Sequence, residues 1–420
     1  MKLLALLAVL SVLAVAAAER STAVSPDVRA DIEFLLQELE RIHPNPYHAV
    51  SRAELHAAAS QLIARLGELD DDQMLVELMR LLARLGERDG HAGVSFFSNA
   101  HRGPAHLYPF YAYSFSDGIF VVAAVNRPAL VGARLVAIGG KPVEEVIRLL
   151  EPLMTRDNPM SLKAGLPTML VAAEVLHGLR VTPTAARATF TFAFPSGSRR
   201  DLELRPLTAP RYIQGLNAAF PTFTYGLPRR AKPLFLSRRG NDQWLTTLQK
   251  GRVLYLAYRS VQRNTFETSE RLLRLVRSRN VKRVIVDLRN NGGGEIRRYA
   301  ALLQALRAPA ARRKTLVVIV NRETFSAAVH FAADVKRLTR AIFVGEPTGG
   351  SPNHYSDTDP VALPVTGWTV GIPTIYYEKL PGEAGLTLAP DVHIDFAARH
   401  FFAGRDPVLR AALTVRRPRR

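Results

Sequence analysis

The feature that most constrains the fold of this chain is the alternation of short apolar runs with helical patterns from Arg252 onward. The apolar runs predict buried strands, at Val253–Tyr258, Arg283–Leu288, Leu316–Asn321 and Ala341–Val344. Helices are predicted to begin between these strands, near Thr265, Glu295 and Ser326. Strands that alternate with helices in this way favour an α/β layer architecture around a buried sheet.

The region before this domain divides into a helical part and a β-rich part. From Pro26 to Leu85 apolar residues recur at helical spacing, interrupted at His43–Tyr47, where two prolines force a turn. His43 and His48 are therefore interpreted as turn residues.

The β-rich part begins near Tyr108. Short runs at Phe110–Phe115 and Ile119–Val125 precede a Gly139-Gly140 turn and a helical stretch over Glu144–Leu153, and a further β-rich stretch follows at Ala188–Leu204. This order resembles a PDZ-like module, a class that binds peptide ends by adding a strand to a sheet edge. Residues 206–250 are rich in proline and predict an irregular connector.

The N-terminal end of the sequence predicts export. Met1–Ala18 has a charged start, a short apolar centre and small residues at its end, which is typical of a cleaved secretory signal. The alternative is a membrane anchor, but the apolar run is shorter than the ~20 residues that a spanning helix needs. No stable membrane insertion is therefore expected after cleavage.

Composition excludes several kinds of site. The 420 residues contain no cysteine, which rules out disulfides, thiolate zinc sites and a cysteine nucleophile. The formal net charge of +19 comes mostly from scattered arginines, and only Arg416–Arg420 is dense, so a solvated surface is favoured over a nucleic-acid site. No cofactor or metal site is predicted.

A glycine-rich segment, Asp287–Gly294, follows an apolar strand directly. Its three glycines allow a tight turn and leave amide N–H groups free to point at an anion. A phosphate-binding loop is excluded because no Gly-Lys-Ser/Thr follows and the spacing is not G-x-G-x-x-G.

A second motif places Ser326 where a buried strand runs into a helix. The free N–H groups and dipole at a helix start stabilise negative charge, which suits an oxyanion. Taken alone, such a serine is more often a helix cap, but Thr324 is also available for capping. Two further segments are ambiguous: Gly345–Tyr355 predicts only a loop, and the glycine-flanked His91 is in isolation most simply a structural or exposed residue.

Together these motifs resemble the C-terminal-processing (tail-specific) serine peptidases, in their tricorn-core-like branch, most strongly over residues 250–410. The resemblance implies a crotonase-like (ClpP/crotonase) ββα catalytic core. The implied organisation is a signal peptide at 1–18, a helical unit at 19–100, a PDZ-like module at 101–205, a connector at 206–250, the peptidase domain at 251–412 and a basic tail at 413–420.

The resemblance also implies the site residues. Ser326 is the nucleophile, and the N–H groups of Ala327 and of Gly293 or Gly292 are the oxyanion donors. The best-known members use a lysine base in a T-x-G-K-G-like loop, but here Ser351 follows Thr348-Gly349-Gly350. The tricorn-like branch uses a histidine from a preceding segment, so His91 is the implied base and His354 the alternative. Glu383 is the nearest match to the family's orienting acid, although its spacing to Pro390-Asp391 differs.

The expected function is therefore hydrolysis of peptide bonds in exported surroundings, in protein or peptide substrates and near their C-termini, with the oligomeric state left open. One rival is a non-catalytic peptide- or lipid-binding protein with the same fold, supported by the missing lysine. Another is an acyl-CoA enzyme, which export and the lack of a nucleotide-phosphate signature disfavour.

Overall fold

The computed structural model describes residues 27–222, 233–237 and 241–416. The predicted signal peptide and the last residues of the basic tail lie outside this part. The N-terminal unit is helical, as predicted, with α1 (Val28–Ile42), α2 (Arg52–Ala64) and α3 (Asp71–Ala83). Ser51 and Asp70 start α2 and α3 with capping boxes. In each box, the side chain of the cap residue accepts the backbone N–H of the residue three positions later, and the side chain of that residue accepts the N–H of the cap residue.

The β-rich module forms a sheet in the order β10-β9-β7-β6-β5. The predicted strands and the predicted helix after the Gly-Gly turn are all present, and α5 and α6 are additional helices that the sequence patterns did not predict. The elements of this part are β1 (Gly93–Val94), β2 (Ser98–Asn99), β3 (Gly103–Pro104), β4 (His106–Leu107), β5 (Phe110–Phe115), β6 (Gly118–Ala124), β7 (Arg134–Ile138), β8 (Lys141–Pro142), α4 (Val143–Leu150), α5 (Pro159–Met169), α6 (Ala173–Gly178), β9 (Ala188–Ala193) and β10 (Arg199–Leu204).

The segment predicted as an irregular connector is more ordered than expected. It contains β11 (Leu207–Thr208), α7 (Ala209–Thr222) and the edge strand β12 (Gln243–Leu248). Proline misled the prediction here, because Pro210 lies in the first turn of α7, where no intrahelical N–H is lost.

The C-terminal domain confirms the predicted α/β architecture. Its sheet runs β12-β13-β14-β15-β16-β19, and every pair from β13 to β19 is parallel. The elements are β13 (Val253–Tyr258), α8 (Phe266–Val276), β14 (Arg283–Asp287), α9 (Ala300–Arg307), α10 (Pro309–Arg312), β15 (Thr315–Val320), α11 (Ala327–Leu338), β16 (Ile342–Gly345), β17 (Asn353–Ala362), β18 (Thr369–Glu378), β19 (Val392–His393), α12 (Ala398–Phe402) and α13 (Pro407–Thr414).

The hairpin of β17 and β18 ties the C-terminal domain to the rest of the chain. Strand β18 pairs with β1, and Val361, Trp368 and Ile372 of the hairpin belong to the hydrophobic core shared by the helical unit and the β-rich module. The segment before β1 thereby lies against both the start of β17 and the turn that follows β15, through the contacts of His91 with His354 and Phe325. Within the described residues, no helix has both the length and the apolar character that crossing a bilayer requires.

Candidate active site

Ser326 occupies the turn between β15 and α11, one position before the first residue of the helix. Its backbone has φ 53° and ψ −133°, a conformation with positive φ that residues other than glycine rarely adopt. Its side chain makes no capping hydrogen bond, and the residue is partly exposed. A strained, uncapped serine at the start of a helix is a candidate nucleophile rather than a helix cap.

Thr324, the other expected cap, also leaves the helix uncapped. Its hydroxyl accepts a hydrogen bond from the N–H of Asn321 at 3.1 Å and donates one to the carbonyl of Leu288 at 3.1 Å. Thr324 therefore ties the serine turn to the start of the glycine-rich segment Asp287–Gly294, which is called the glycine loop below.

The glycine loop lies directly against Ser326. At Gly293, where φ is +102°, an added Cβ would stand 2.6 Å from the Cβ of Ser326 and 2.9 Å from the nitrogen of Ala327. Only glycine allows this approach. Asn291 fixes the loop, since its side chain donates to the carbonyl of Tyr258 at 2.8 Å and accepts from the N–H of Gly293 at 3.0 Å.

A buried ion cluster anchors the strand end from which the glycine loop leaves. The guanidinium of Arg289, 5% exposed, bonds the carboxylate of Asp287 at 2.6 Å and that of Asp406 at 2.8 and 2.9 Å. The hydroxyl of Tyr255 donates to Asp287 at 2.7 Å. Because each buried charge has a partner, this network holds the loop without leaving an uncompensated ion.

The predicted oxyanion donors differ in availability. Among the described residues, the N–H groups of Ala327 and Gly292 have no hydrogen-bond acceptor, whereas the N–H of Gly293 is already donated to Asn291. Ala327 is the first residue of α11, so its N–H also carries the positive end of the helix dipole. Of the predicted donors, the N–H groups of Ala327 and Gly292 are thus the two that this conformation leaves free.

The predicted base, His91, lies beside the nucleophile turn. Its ring stacks on that of Phe325, the residue before Ser326, with centroids 4.6 Å apart, and on the ring of His354 at 5.0 Å. Neither of its ring nitrogens has a hydrogen-bond partner within the described part of the chain. Burial, with a smaller contribution from His354, lowers the pKa of His91 to about 3, which keeps the ring neutral.

His354 lies at the start of β17, since the predicted Gly345–Tyr355 loop spans only residues 346–352. Its Nδ1 donates to the carbonyl of Ser351, which leaves the lone pair of Nε2 without a partner among the described residues. Burial lowers its pKa to about 4. Both predicted bases are thus neutral imidazoles, and neither forms a hydrogen bond with the Ser326 hydroxyl.

His330 extends the row of imidazoles and was missed in the sequence. It lies on α11, its ring centroid is 4.9 Å from that of His354, and burial lowers its pKa to about 2. The available signal was its spacing, because residues four apart share one face of a helix and His330 follows Ser326 by four.

A buried carboxylate, Asp157, was also missed. It is 0% exposed and accepts hydrogen bonds from the N–H of Gly90 at 2.8 Å and of Ser351 at 2.9 Å. Burial raises its pKa to about 7 despite these two bonds. Asp157 therefore links the loop of His91 to that of His354. Its sequence neighbour Asn158, which caps α5, was the available signal that this segment is structured.

Glu383, the predicted orienting acid, is not paired with any of the described histidines in this conformation. Its side chain is exposed and forms no hydrogen bond with a histidine in the described part of the chain. Only its backbone approaches the site, where the side chain of Asn353 donates to the Glu383 carbonyl at 3.3 Å.

His43 and His48 are more than the turn residues that the sequence suggested. His43 is buried and donates to the carboxylate of Asp89 at 2.9 Å. The ring nitrogens of His48 lie 3.1 Å from the carbonyl of Asn45 and 2.9 Å from that of Glu87, and its Nε2 lies 3.4 Å from the carboxylate of Asp89. This cluster fixes the loop that carries the predicted base.

Comparison with known proteins adds independent findings. Residues 252–311 and 304–394 match the model of peptidase family S41. The fold is similar to that of a serine-to-alanine mutant of CPAF, with a TM-score of 0.62, 15% identity and coverage of 92% of this chain and 98% of that one. It is also similar to mature CPAF complexed with lactacystin, with a TM-score of 0.59, 16% identity and coverage of 90% and 95%. A search of curated protein sequences finds no match.

Proposed function

Since residues 252–394 place this chain in peptidase family S41 and it is a serine-type peptidase, we propose that it cleaves peptide bonds through an acyl-enzyme on Ser326. The observation that carries this proposal is the Ser326 turn, in which a strained and uncapped serine lies so close to Gly293 that any larger residue there would collide with it. A structural serine has no need of such a backbone conformation.

In the proposed reaction, the Ser326 oxygen attacks the carbonyl carbon of the substrate while a ring nitrogen of His91 takes the hydroxyl proton. The carbonyl oxygen becomes an oxyanion held by the free N–H groups of Ala327 and Gly292. The protonated His91 then gives its proton to the leaving amine. Water repeats the sequence, with His91 again as base, and releases the acid product.

His91 is the preferred base over His354 because of its position. It is partly exposed and stacks on the residue next to the nucleophile, whereas His354 is 0% exposed and its ring packs between His91 and His330. The missing Ser326–His91 hydrogen bond is compatible with this role, because catalytic hydrogen bonds often tighten only when substrate is bound.

The orienting acid has two candidates. Asp157 is buried, and it accepts the N–H of Gly90, the residue just before the proposed base. Glu383 is the residue that the family resemblance implies, but it requires a movement of its exposed side chain to reach His91. We assign the positioning role to Asp157 and keep Glu383 as the alternative.

Several further expectations belong to this proposal. The strand, Gly-Gly turn and helix order of the β-rich module supports a PDZ-like role in holding a polypeptide tail, with cleavage near its C-terminus. The crotonase-like character of the catalytic core rests on the parallel sheet and the serine at the start of α11. Export rests on the signal-like residues 1–18, and no nucleic-acid partner is expected.

A fluorophosphonate probe tests the proposed nucleophile directly. We expect the purified chain to be labelled on Ser326, as located by peptide mass spectrometry, and Ser326→Ala to remain unlabelled. Failure of the folded wild-type chain to react would favour the non-catalytic peptide- or lipid-binding alternative, whose main support is the serine at position 351 in place of the family's lysine.

A further inference from the structure

Three side chains that could bind a metal ion lie close together around the proposed base. One donor atom from each of His91, Asp157 and His354 lies within 4.8 Å of the other two. These three residues come from segments far apart in sequence, so their convergence is a product of the fold rather than of a local motif.

Each of these side chains has electron pairs to offer. Both nitrogens of His91 and Nε2 of His354 are enclosed and lack partners in the described part of the chain. Each oxygen of Asp157 accepts a single backbone N–H and keeps a second lone pair. His354 and Asp157 are both 0% exposed, so these unused positions are shielded from bulk water.

The surroundings of the cluster match those of known metal ligands. A histidine that binds a metal usually donates its other ring N–H to a carbonyl or carboxylate, which fixes the tautomer, and His354 does so through Nδ1 to Ser351. A ligating carboxylate is likewise held by hydrogen bonds, as the N–H groups of Gly90 and Ser351 hold Asp157.

We propose that His91, His354 and Asp157 form a binding site for one Zn²⁺ ion, and that the bound ion inhibits the peptidase. Two imidazole nitrogens and a carboxylate oxygen suit zinc, while Mg²⁺ and Ca²⁺ prefer ligand sets made of oxygen alone. Three protein ligands leave the fourth tetrahedral position to water. A neutral imidazole has one nitrogen with a free lone pair, and its other nitrogen carries a hydrogen. Inhibition follows because the lone pair of His91 that binds zinc is the one that would take the Ser326 proton.

A modest movement completes the site. Two ligands of one tetrahedral zinc ion stand roughly 3.4 Å apart, so the donor atoms must close by roughly 1 to 1.5 Å. The rings of His91 and His354 are parallel within 6°, so one of them must rotate to aim its lone pair at the ion. His91 is that ring, because it has no hydrogen bond to break.

Calorimetric titration of the chelator-treated full chain with ZnCl₂ tests the binding. We expect one ion per chain in the wild type and in Ser326→Ala, and affinity at least about 100-fold weaker in His91→Ala, His354→Ala and Asp157→Asn. His393→Ala is the matched control, because His393 is an exposed histidine that also contacts a carboxylate, Asp395 at 3.1 Å, and it should bind zinc as the wild type does.

The result that overturns the site is absence of zinc binding, or binding that survives His91→Ala and Asp157→Asn or that falls equally in His393→Ala. Circular dichroism checks the folding of each variant, and if His354→Ala does not fold, the other two ligand variants decide. The binding measurement is independent of the proposed function. Only the inhibition rests on it, and we expect zinc to reduce peptide hydrolysis at least tenfold, with recovery on adding EDTA. Undiminished hydrolysis in the zinc-saturated chain would overturn the inhibitory role alone.

Discussion

The two sides of the candidate site are held in place differently, one by hydrogen bonds and the other by the packing of rings. On the nucleophile side, the glycine loop and the Ser326 turn are tied by hydrogen bonds from Asn291, Thr324 and Arg289, and the strain is stored in one backbone position. On the histidine side, ring nitrogens of His91 and His330 lack partners in the described part of the chain. The contrast teaches that hydrogen bonds hold the proposed nucleophile in place, whereas the ring of the proposed base is held by packing and has no hydrogen bond to break before it moves.

The origin of the two sides explains this difference. The nucleophile side comes from adjacent parallel strands, whose C-terminal ends meet at one edge of the sheet. The histidine side is assembled from the loop before β1, from β17 and from α11. Packing of separate segments brings these rings together, and ring contacts at 4.6 to 5.0 Å constrain them less than hydrogen bonds would.

The largest effect is expected on the rigid side, at Ser326. Ser326→Ala should reduce turnover of a fluorogenic peptide by on the order of 10⁶, as removal of a serine nucleophile does. Ser326→Gly should be equally inactive but more stable than Ser326→Ala by roughly 1 kcal/mol, because glycine adopts positive φ without strain. Thermal unfolding measures the second difference. Equal melting temperatures would show that the turn stores no strain.

The next largest effect on turnover is expected at Gly293 and not at its neighbour Gly292. Gly293→Ala should lower turnover by on the order of 10²–10³, because its Cβ would collide with Ser326 and displace the oxyanion donors. Gly292→Ala is the matched control, since a Cβ there would meet nothing within 4 Å and the N–H is kept. Steady-state kinetics of the two folded variants makes the comparison. Similar losses in both would remove the close approach at Gly293 from the mechanism.

A smaller loss is expected where the base is positioned. Asp157→Asn should lower turnover roughly 10- to 100-fold, the usual effect of removing a supporting hydrogen-bond partner, and should shift the acid limb of the pH–rate profile. Glu383→Gln should leave turnover within about twofold of the wild type, because surface changes away from a site have small effects. If Glu383→Gln is the inactive variant, the family resemblance identified the acid correctly and the exposed side chain moves in with substrate.

The sequence predicted the nucleophile side of the site better than the histidine side. Strands β13 to β16, Ser326 and the glycine loop were predictable because their signals are local: apolar runs, glycines and a strand-to-helix junction. Asp157 and His330 escaped because their roles arise from contacts between distant segments. The β17–β18 hairpin escaped because its prolines, at Pro360 and Pro373, are typical of loops.

The last of these effects is on the stability of the fold in acid, and it tests whether the ring of His330 is buried and neutral. The pKa of His330 is about 2 in the folded chain against ~6.5 when unfolded. Below about pH 6.5 the unfolded chain therefore binds a proton that the folded chain refuses, so stability falls as the pH drops. His330→Phe should reduce this dependence by up to about 1.4 kcal/mol per pH unit between about pH 4 and 6.

Urea unfolding in a metal-free buffer measures this slope. His393→Gln serves as the control, because that ring is exposed and its loss should leave the slope nearly unchanged. A slope unaffected by His330→Phe would mean that water or another group reaches the His330 ring and that it is not a buried neutral imidazole.

The most direct test of the central claim, that Ser326 and His91 act as one nucleophile–base unit, is a comparison of turnover in Ser326→Ala, His91→Ala and the double variant. Residues that act as a unit are not additive, so the account predicts that all three lose nearly the same amount while His354→Ala keeps much of the wild-type turnover. A double variant far slower than both single variants, or an inactive His354→Ala beside an active His91→Ala, would contradict it.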